Sequence, residues 1–197
     1  FSLKNLSFTL GEVLILLVVI GIIAAITVPV IMANHKKTET AAKLKKFYST
    51  LSNAIKLSEI ETGLNASEWD YTLDYKDFFE EYLAKYFSYT KIEINQNNQH
   101  VLYGLYSVYL NDGTVMGLEP GGDNWKGFYF DVNGEKGPNQ LGRDVYFYEM
   151  DNHSGLCSGD YTRELALENC KNYGDNSCAQ LIMIDGWEFK DDYPYRL

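Results

Sequence analysis

The first third of the chain begins with a continuous apolar run and then changes to a pattern of regularly spaced apolar residues. Residues 13–33 form a run of 21 positions without a charged side chain, which is long enough to cross a bilayer as a helix. Beyond this run, large apolar residues recur at steps of four, three and four: Leu44, Tyr48, Leu51 and Ile55. That spacing places them on one face of a helix, with lysines on the other. The pattern predicts one long helix, apolar all round in its first half and amphipathic in its second.

The limits of this helix and a bend within it are also marked. Gly63 favours the left-handed conformation in which a helix ends. A helix running unbroken over residues 8–62 is about 80 Å long. Pro29 lies in the apolar half and predicts a bend there, because proline lacks the N–H that the fourth preceding carbonyl needs.

After residue 63 the pattern becomes one of short elements. Residues 75–87 carry aromatic and apolar side chains at helical spacing and predict a short amphipathic helix. Asn111, Asp112 and Gly113 form a turn signal between two strand-like runs. The predicted strands cover residues 101–110, 114–118, 127–132, 144–149 and 181–184. A long N-terminal helix followed by antiparallel strands predicts an α+β fold, in which the amphipathic half of the helix covers one face of the sheet.

Composition and charge narrow the function classes. The chain has 197 residues, among them sixteen Tyr, ten Phe and three Trp, which suit strands and protein contact surfaces. Residues 1–62 hold seven lysines against four glutamates, a net charge of +3, whereas residues 63–197 carry a net charge of −13. We expect no nucleic-acid binding through the bulk surface of so acidic a head.

One carboxylate stands at the start of the apolar segment. Thr9 and Glu12 have the spacing of a capping box, in which Thr9 caps the helix and Glu12 accepts from its free N–H. A charge near the centre of a membrane span costs about 2.5–3.5 kcal/mol, and less near an end. Capping explains why Glu12 is tolerated, and a charged partner is the alternative. The segment fits a single-pass anchor better than a signal peptide, whose apolar core runs to about 7–15 residues.

Residues 7–14, SFTLGEVL, followed by a long apolar helix, resemble the cleavage and methylation segment of type IV pilins and type II secretion pseudopilins. Five residues match the family pattern: Phe8, Thr9, Leu10, Glu12 and Pro29. Ser7 and Gly11 depart from it, since Gly usually stands at the first position and Ile, Ala or Val at the second. Residues 131–144 and 178–187 also resemble the head of one group of bacterial pilin-like proteins.

The resemblance implies processing followed by assembly. A prepilin peptidase would cut between Ser7 and Phe8, and the new amino group of Phe8 would be methylated. In a filament, Glu12 would face the N-terminal amine of a neighbouring copy, and Pro29 would bend the helix. The expected partners are copies of the chain, related pilins or pseudopilins, the prepilin peptidase and the inner membrane.

The resemblance also divides the chain and places it in the cell. The expected parts are a truncated leader peptide (1–7), the transmembrane and assembly half of the helix (8–33), its amphipathic half (34–62) and a globular head (63–197). We expect a single-pass protein of the bacterial inner membrane, with its head outside the cytoplasm, that enters an extracellular or periplasmic filament. The lysines after the span favour the opposite orientation, but a long head weakens that rule.

The segment 131–144 is rich in side-chain oxygen atoms. Its candidate calcium ligands are Asp131, Asn133, Glu135, Asn139 and Asp144. Oxygen atoms at alternate positions suit calcium, but the twelfth position, where an EF-hand needs an acid, is Gly142. The resemblance adds that major pseudopilins carry calcium in a loop between late strands. A solvated turn rich in Asx and Gly is the alternative.

Three cysteines lie in the last quarter of the chain. Cys170 and Cys178 enclose a polar loop, and we expect them to form a disulfide in an exported head, worth about 2–3 kcal/mol. Cys157 is then left over. A zinc site that combines these three cysteines with His153 matches no ordinary spacing.

The sequence carries no sign of catalysis. It has no G-x-S-x-G element, phosphate loop or dinucleotide fingerprint, so we expect no enzyme and no required cofactor. The first hypothesis is a pilin or pseudopilin of a type IV pilus or a type II secretion-like filament. The second is a minor tip or membrane-anchored binding subunit that contacts a substrate or a surface, and the third is an anchored domain that never assembles.

Overall fold

The computed structural model describes residues 9–94, 106–153, 155–156, 162–174 and 176–197, without the side chains of Pro120 and Asn176. Four α-helices are described: α1 (Leu10–Thr62), α2 (Tyr75–Tyr82), α3 (Arg163–Tyr173) and α4 (Asn176–Ile184). Short 3₁₀ turns at Ala66–Glu68 and Ala84–Tyr86 flank α2. The strands are β1 (Tyr89–Ile94), β2 (Tyr106–Leu110), β3 (Val115–Gly122), β4 (Trp125–Asp131), β5 (Val145–Asp151) and β6 (Gly155–Leu156).

The six strands form one antiparallel sheet in which each strand pairs with the next along the chain, in the order β1 to β6. In the pair formed by β4 and β5, Phe128 lies opposite Tyr148 and Phe130 opposite Tyr146. All four side chains are buried, because alternate residues of a strand point to the same face. The predicted α+β fold, with a long helix packed on an antiparallel sheet, is confirmed.

Helix α1 has 53 residues and marked ends. The Glu12 backbone N–H donates to Thr9 Oγ1 (3.2 Å), and the Thr9 N–H donates to Glu12 Oε2 (2.8 Å), which forms the predicted capping box. At the other end Gly63 adopts φ 71° and donates its N–H to the carbonyl of Glu59. Pro29 lies inside the helix; the bend there stays a prediction.

Only the second half of α1 is packed against the sheet. Leu44, Phe47 and Leu51 are almost fully buried. The ring of Phe47 stacks on that of Phe130 with centroids 4.1 Å apart. The predicted apolar face included Tyr48 and Ile55, but both are only partly buried. The buried face of α1 is therefore rotated slightly toward Phe47. The buried apolar residues extend from Ala41 to Ala54, so about four helical turns of apolar contact attach the head to its stalk.

Several short elements differ from the prediction. Residues 181–184, predicted as a strand, lie in α4. A run of four apolar residues fits a buried helix as well as a strand, and here Leu181 and Ile182 are buried in the core. The predicted helix 75–87 ends at Tyr82 and continues as a 3₁₀ turn. Strand β1 and helix α3 were not predicted, and residues 101–105 of the predicted strand 101–110 lie outside the described part.

Candidate functional site: the exposed apolar helix and the 131–144 loop

The first half of α1 is an apolar rod without a cover. Its large hydrophobic side chains, from Leu10 to Met32, are between 40% and 78% exposed. Within the described residues, α1 is the one helix long and apolar enough to cross a membrane, with a mean hydropathy of 3.1 in its most apolar window. Contiguous apolar surface of this size marks a membrane or protein contact. The helix is compatible with a single-pass membrane anchor.

Glu12 lies at the tip of this rod. Its Oε2 accepts hydrogen bonds from the N–H of Thr9 (2.8 Å) and from Thr9 Oγ1 (3.0 Å). Its Oε1 accepts no hydrogen bond from the described residues, and the side chain is exposed. The local cap therefore uses one carboxylate oxygen and leaves the second available to a donor from outside the chain. Ser7 and Phe8, the expected processing residues, lie outside the described residues.

The 131–144 segment joins β4 to β5 and is organised around Asp144. The carboxylate of Asp144 is buried and accepts from the backbone N–H of Gln140 (2.6 Å), the N–H of Asn139 (3.0 Å) and Asn133 Nδ2 (3.2 Å). Asp131 is also buried, and its Oδ1 accepts from the N–H of Asn133 (2.9 Å). Four of the five candidate calcium ligands are thus brought together by one hydrogen-bond network.

Glu135 is the candidate that departs from this group. It is exposed and accepts from the hydroxyl of Tyr109 on β2 at 2.8 Å. Burial and the hydrogen bond to Glu135 raise the pKa of Tyr109. Sequence spacing alone could not show this contact, because its two partners are 26 residues apart.

The 131–144 loop offers oxygen atoms that suit calcium. Asn133 Oδ1 and Asn139 Oδ1 are buried and have no hydrogen-bond partner, and both residues bond to Asp144 through other atoms. Two unpaired amide oxygens beside two buried carboxylates suit the oxygen-only coordination of calcium. Among the described residues, no group of three or more His, Cys, Asp and Glu side chains is close enough to hold a metal ion. Asparagine would therefore have to supply part of the ligand set.

A disulfide and two tyrosines support the same loop. Cys170 and Cys178 are disulfide-bonded and join α3 to α4. They therefore offer no thiolate to a zinc ion, and Cys157 lies outside the described residues. The hydroxyl of Tyr195 donates to the carbonyl of Cys170 (3.1 Å), and that of Tyr193 donates to the carbonyl of Gly142 (2.5 Å). The C-terminal segment thus ties the 131–144 loop to the disulfide.

Lys126 is a buried residue that the sequence analysis did not single out. Its amine donates to the carbonyls of Tyr71 (2.7 Å) and Leu73 (2.9 Å), which fixes the loop before α2 onto β4. Burial lowers its pKa, while nearby aspartates act in the opposite direction. The sequence did carry a signal for this burial. Lys126 lies two residues before Phe128 and four before Phe130, so it shares a face of β4 with two core aromatic residues.

Comparison with known proteins assigns no activity. The model of a family described as a family of unknown function (DUF6613) matches residues 30–165, more than two thirds of the chain. No curated protein and no solved structure matches. The family match begins beyond most of the exposed apolar half of α1 and ends at the start of α3.

Proposed function

The chain belongs to this family of unknown function, DUF6613, and we propose a function from its own residues. We propose that it is a structural subunit of a type IV pilus or of a type II secretion-like filament. In this proposal a prepilin peptidase cuts between Ser7 and Phe8, and copies assemble through the first half of α1. The observation that carries the proposal is the Glu12 carboxylate at the tip of the exposed apolar rod. Its Oε2 accepts the hydrogen bonds of the helix cap, and its Oε1 accepts none from the described residues.

The physical argument concerns where that carboxylate ends up. In a bundle of apolar helices an unpaired charge is strongly disfavoured, and pairing it with an opposite charge recovers most of the loss. Cleavage before Phe8 creates such a charge, an amino group four residues from Glu12. A neighbouring copy that docks in register brings its amine to Glu12 Oε1, and a copy out of register leaves both charges unpaired. Glu12 then selects the register of assembly rather than supplying its net strength.

The rest of the fold is consistent with this role. The second half of α1 is buried against the sheet, so the head moves with the helix. In the membrane the first half anchors a head that lies outside the cytoplasm, and in a filament the same surface packs against other copies and related pilins or pseudopilins. A minor tip or membrane-anchored subunit that contacts a substrate or a surface is the alternative within the same architecture.

Three variants separate the cap from the partner. Glu12→Ala removes both roles, Glu12→Gln keeps an oxygen for the cap but removes the charge, and Thr9→Ala removes the capping hydroxyl but keeps the charge. We expect all three to insert into the membrane. Neither Glu12 variant assembles, and Thr9→Ala assembles, as judged by electron microscopy and by shearing of surface filaments. Normal filaments from Glu12→Gln would exclude the proposed pairing.

We also propose that the 131–144 loop holds calcium, on the evidence of the unpaired oxygens of Asn133 and Asn139 beside Asp131 and Asp144. Calcium would neutralise the two buried carboxylates and fix the loop between β4 and β5. We expect added calcium to raise the melting temperature over that in excess chelator, and Asp131→Asn to abolish the difference. Glu135→Gln is the matched control, since Glu135 bonds to Tyr109. A melting temperature that is the same with calcium and with chelator contradicts the site.

A further inference from the structure

Helix α1 carries lysines that its own chain does not use. Lys43 pairs with Glu39 (2.9 Å) and Lys46 with Asp112 (2.6 Å). Among the described residues, four lysines of α1 form neither a hydrogen bond nor an ion pair: Lys36, Lys37, Lys45 and Lys56. Lys36 and Lys37 follow directly after the apolar half of α1, and Lys45 lies about two helical turns further on. We call these three the basal lysines.

Two of the basal lysines border a groove between α1 and the C-terminal segment. Lys37 and Lys45 line it from the helix, and Glu188 and Asp191 line it from the other side. No ion pair joins these carboxylates to the lysines. With Lys36 the three lysines exceed the two carboxylates, so the base of the head keeps a positive field on a chain whose net charge is −10.

The opposite end of the head is acidic. Five carboxylates there form no ion pair among the described residues, and we call them the distal acids: Asp70, Asp74, Asp77, Glu119 and Asp123. Burial lowers the pKa of Lys126, against the effect of Asp123, Asp70 and Asp74. Burial raises the pKa of Glu149, and Glu119 adds to the rise. Glu119 and Asp74 also act together on Tyr75, whose pKa is raised mainly by burial. The nearby amine of Lys126 is already bonded to two carbonyls.

Contacts fix where the two charged surfaces lie along the molecule. Val132, just after β4, accepts from Lys43 in the first packed turns of α1. The other end of β4 reaches the loop of Tyr71 and Leu73, which follows the end of α1. The distal acids therefore lie beside the C-terminal end of α1, and the basal lysines at its midpoint. The helical rise separates Lys36 from Thr62 by about 40 Å, so the two surfaces of one chain cannot meet.

We propose that the distal acids of one copy bind the basal lysines of another copy that is displaced along the axis of α1. Two different surfaces of one molecule that complement each other give a head-to-tail contact, which extends an open filament and not a closed dimer. The proposal rests on the proposed function for the existence of an assembly, and it adds the partner and the polarity of the contact between heads. Charge complementarity of this kind sets orientation and association rate more than affinity.

The direct test is zero-length cross-linking of assembled full-length protein with a carbodiimide, followed by mass spectrometry of a mixture of isotopically light and heavy chains. We expect mixed-isotope links from Lys36 or Lys37 to Asp77 or Asp123, lost in 1 M salt, where the Debye length is about 3 Å. Assemblies without such links overturn the proposal, as do distal acids cross-linked exclusively to another protein.

A charge-swap experiment gives an independent test in the full chain. Lys36→Glu/Lys37→Glu should reduce filament yield at least tenfold, and Asp77→Lys/Asp123→Lys added to the same chain should restore it. Lys56→Glu/Lys171→Glu is the matched control, with the same change of net charge at two exposed lysines outside the basal set, and should keep the yield. Circular dichroism and an intact disulfide establish that each variant is folded. An unchanged yield from the first variant, or no restoration by the swap, overturns the proposal.

The outcomes separate this inference from the proposed function. If the wild-type chain never assembles, the proposed function fails and the head-to-tail contact fails with it. If wild-type assembly requires Glu12 but is indifferent to reversal of the basal lysines, only the head-to-tail contact fails.

Discussion

Phe47 is a central contact in the attachment of the head to the stalk. This side chain is 3% exposed, stacks on Phe130 at 4.1 Å and lies 5.3 Å from the ring of Tyr148. Phe47→Ala removes a buried aromatic ring from the contact between α1 and the sheet, which typically costs about 3–5 kcal/mol. For a head of this size, that loss lowers the melting temperature by roughly 6–20 °C.

The assay is thermal unfolding of the full chain in detergent, followed by near-UV circular dichroism, which reports the packing of the aromatic core. Ile60→Ala is the matched control, because Ile60 lies on the same helix and is 79% exposed. It should change the free energy of unfolding by less than about 0.5 kcal/mol. A Phe47→Ala variant that melts within 2 °C of wild type, as measured beside the control, would refute the packing of α1 on the sheet.

Two further predictions concern the C-terminal part of the head. Reduction of Cys170–Cys178 should lower the free energy of unfolding by about 2–3 kcal/mol, as seen in denaturant curves with and without reductant; an unchanged midpoint would contradict it. Burial alone would raise the pKa of Asp185, but hydrogen bonds from Arg163 and Lys190 hold it below its usual value. A lowered folded-state pKa gives stability that is present above the ordinary pKa of about 4 and is lost as the pH falls through the lowered value. Asp185→Asn should remove that part of the acid sensitivity in melting curves recorded from pH 6 to pH 2, and an identical profile would contradict the assignment.

The features that the sequence predicted well depend on local signals. Thr9, Glu12 and Gly63 mark the two ends of α1 by short-range chemistry, and the structure places the helix between them. The turn at residues 111–113 was predicted in the same way, and Gly113 adopts φ 83° there. Such signals need no knowledge of the tertiary fold, because each is satisfied within a few residues.

The features that were missed depend on contacts between distant residues. Residues 181–184 suit a strand by composition, but they lie in α4, where Leu181 and Ile182 are buried in the core and Ile184 is exposed. Strand β1 is mostly exposed and shows no alternation, so it has no pattern to detect. Glu135 is a calcium-ligand candidate by spacing, and that spacing gave no sign of its contact with Tyr109. The net charges of residues 1–62 and 63–197 follow from the sequence, but the positions of the basal lysines and the distal acids required the fold.

The proposed assembly depends first on whether the bond before Phe8 is cut, since cleavage creates the amine that Glu12 would bind. Mass spectrometry of the mature N-terminus, on protein recovered from the membrane of the producing cell, measures this directly. We predict a chain that begins with N-methyl-Phe8. A chain that still carries Ser7 would contradict the account.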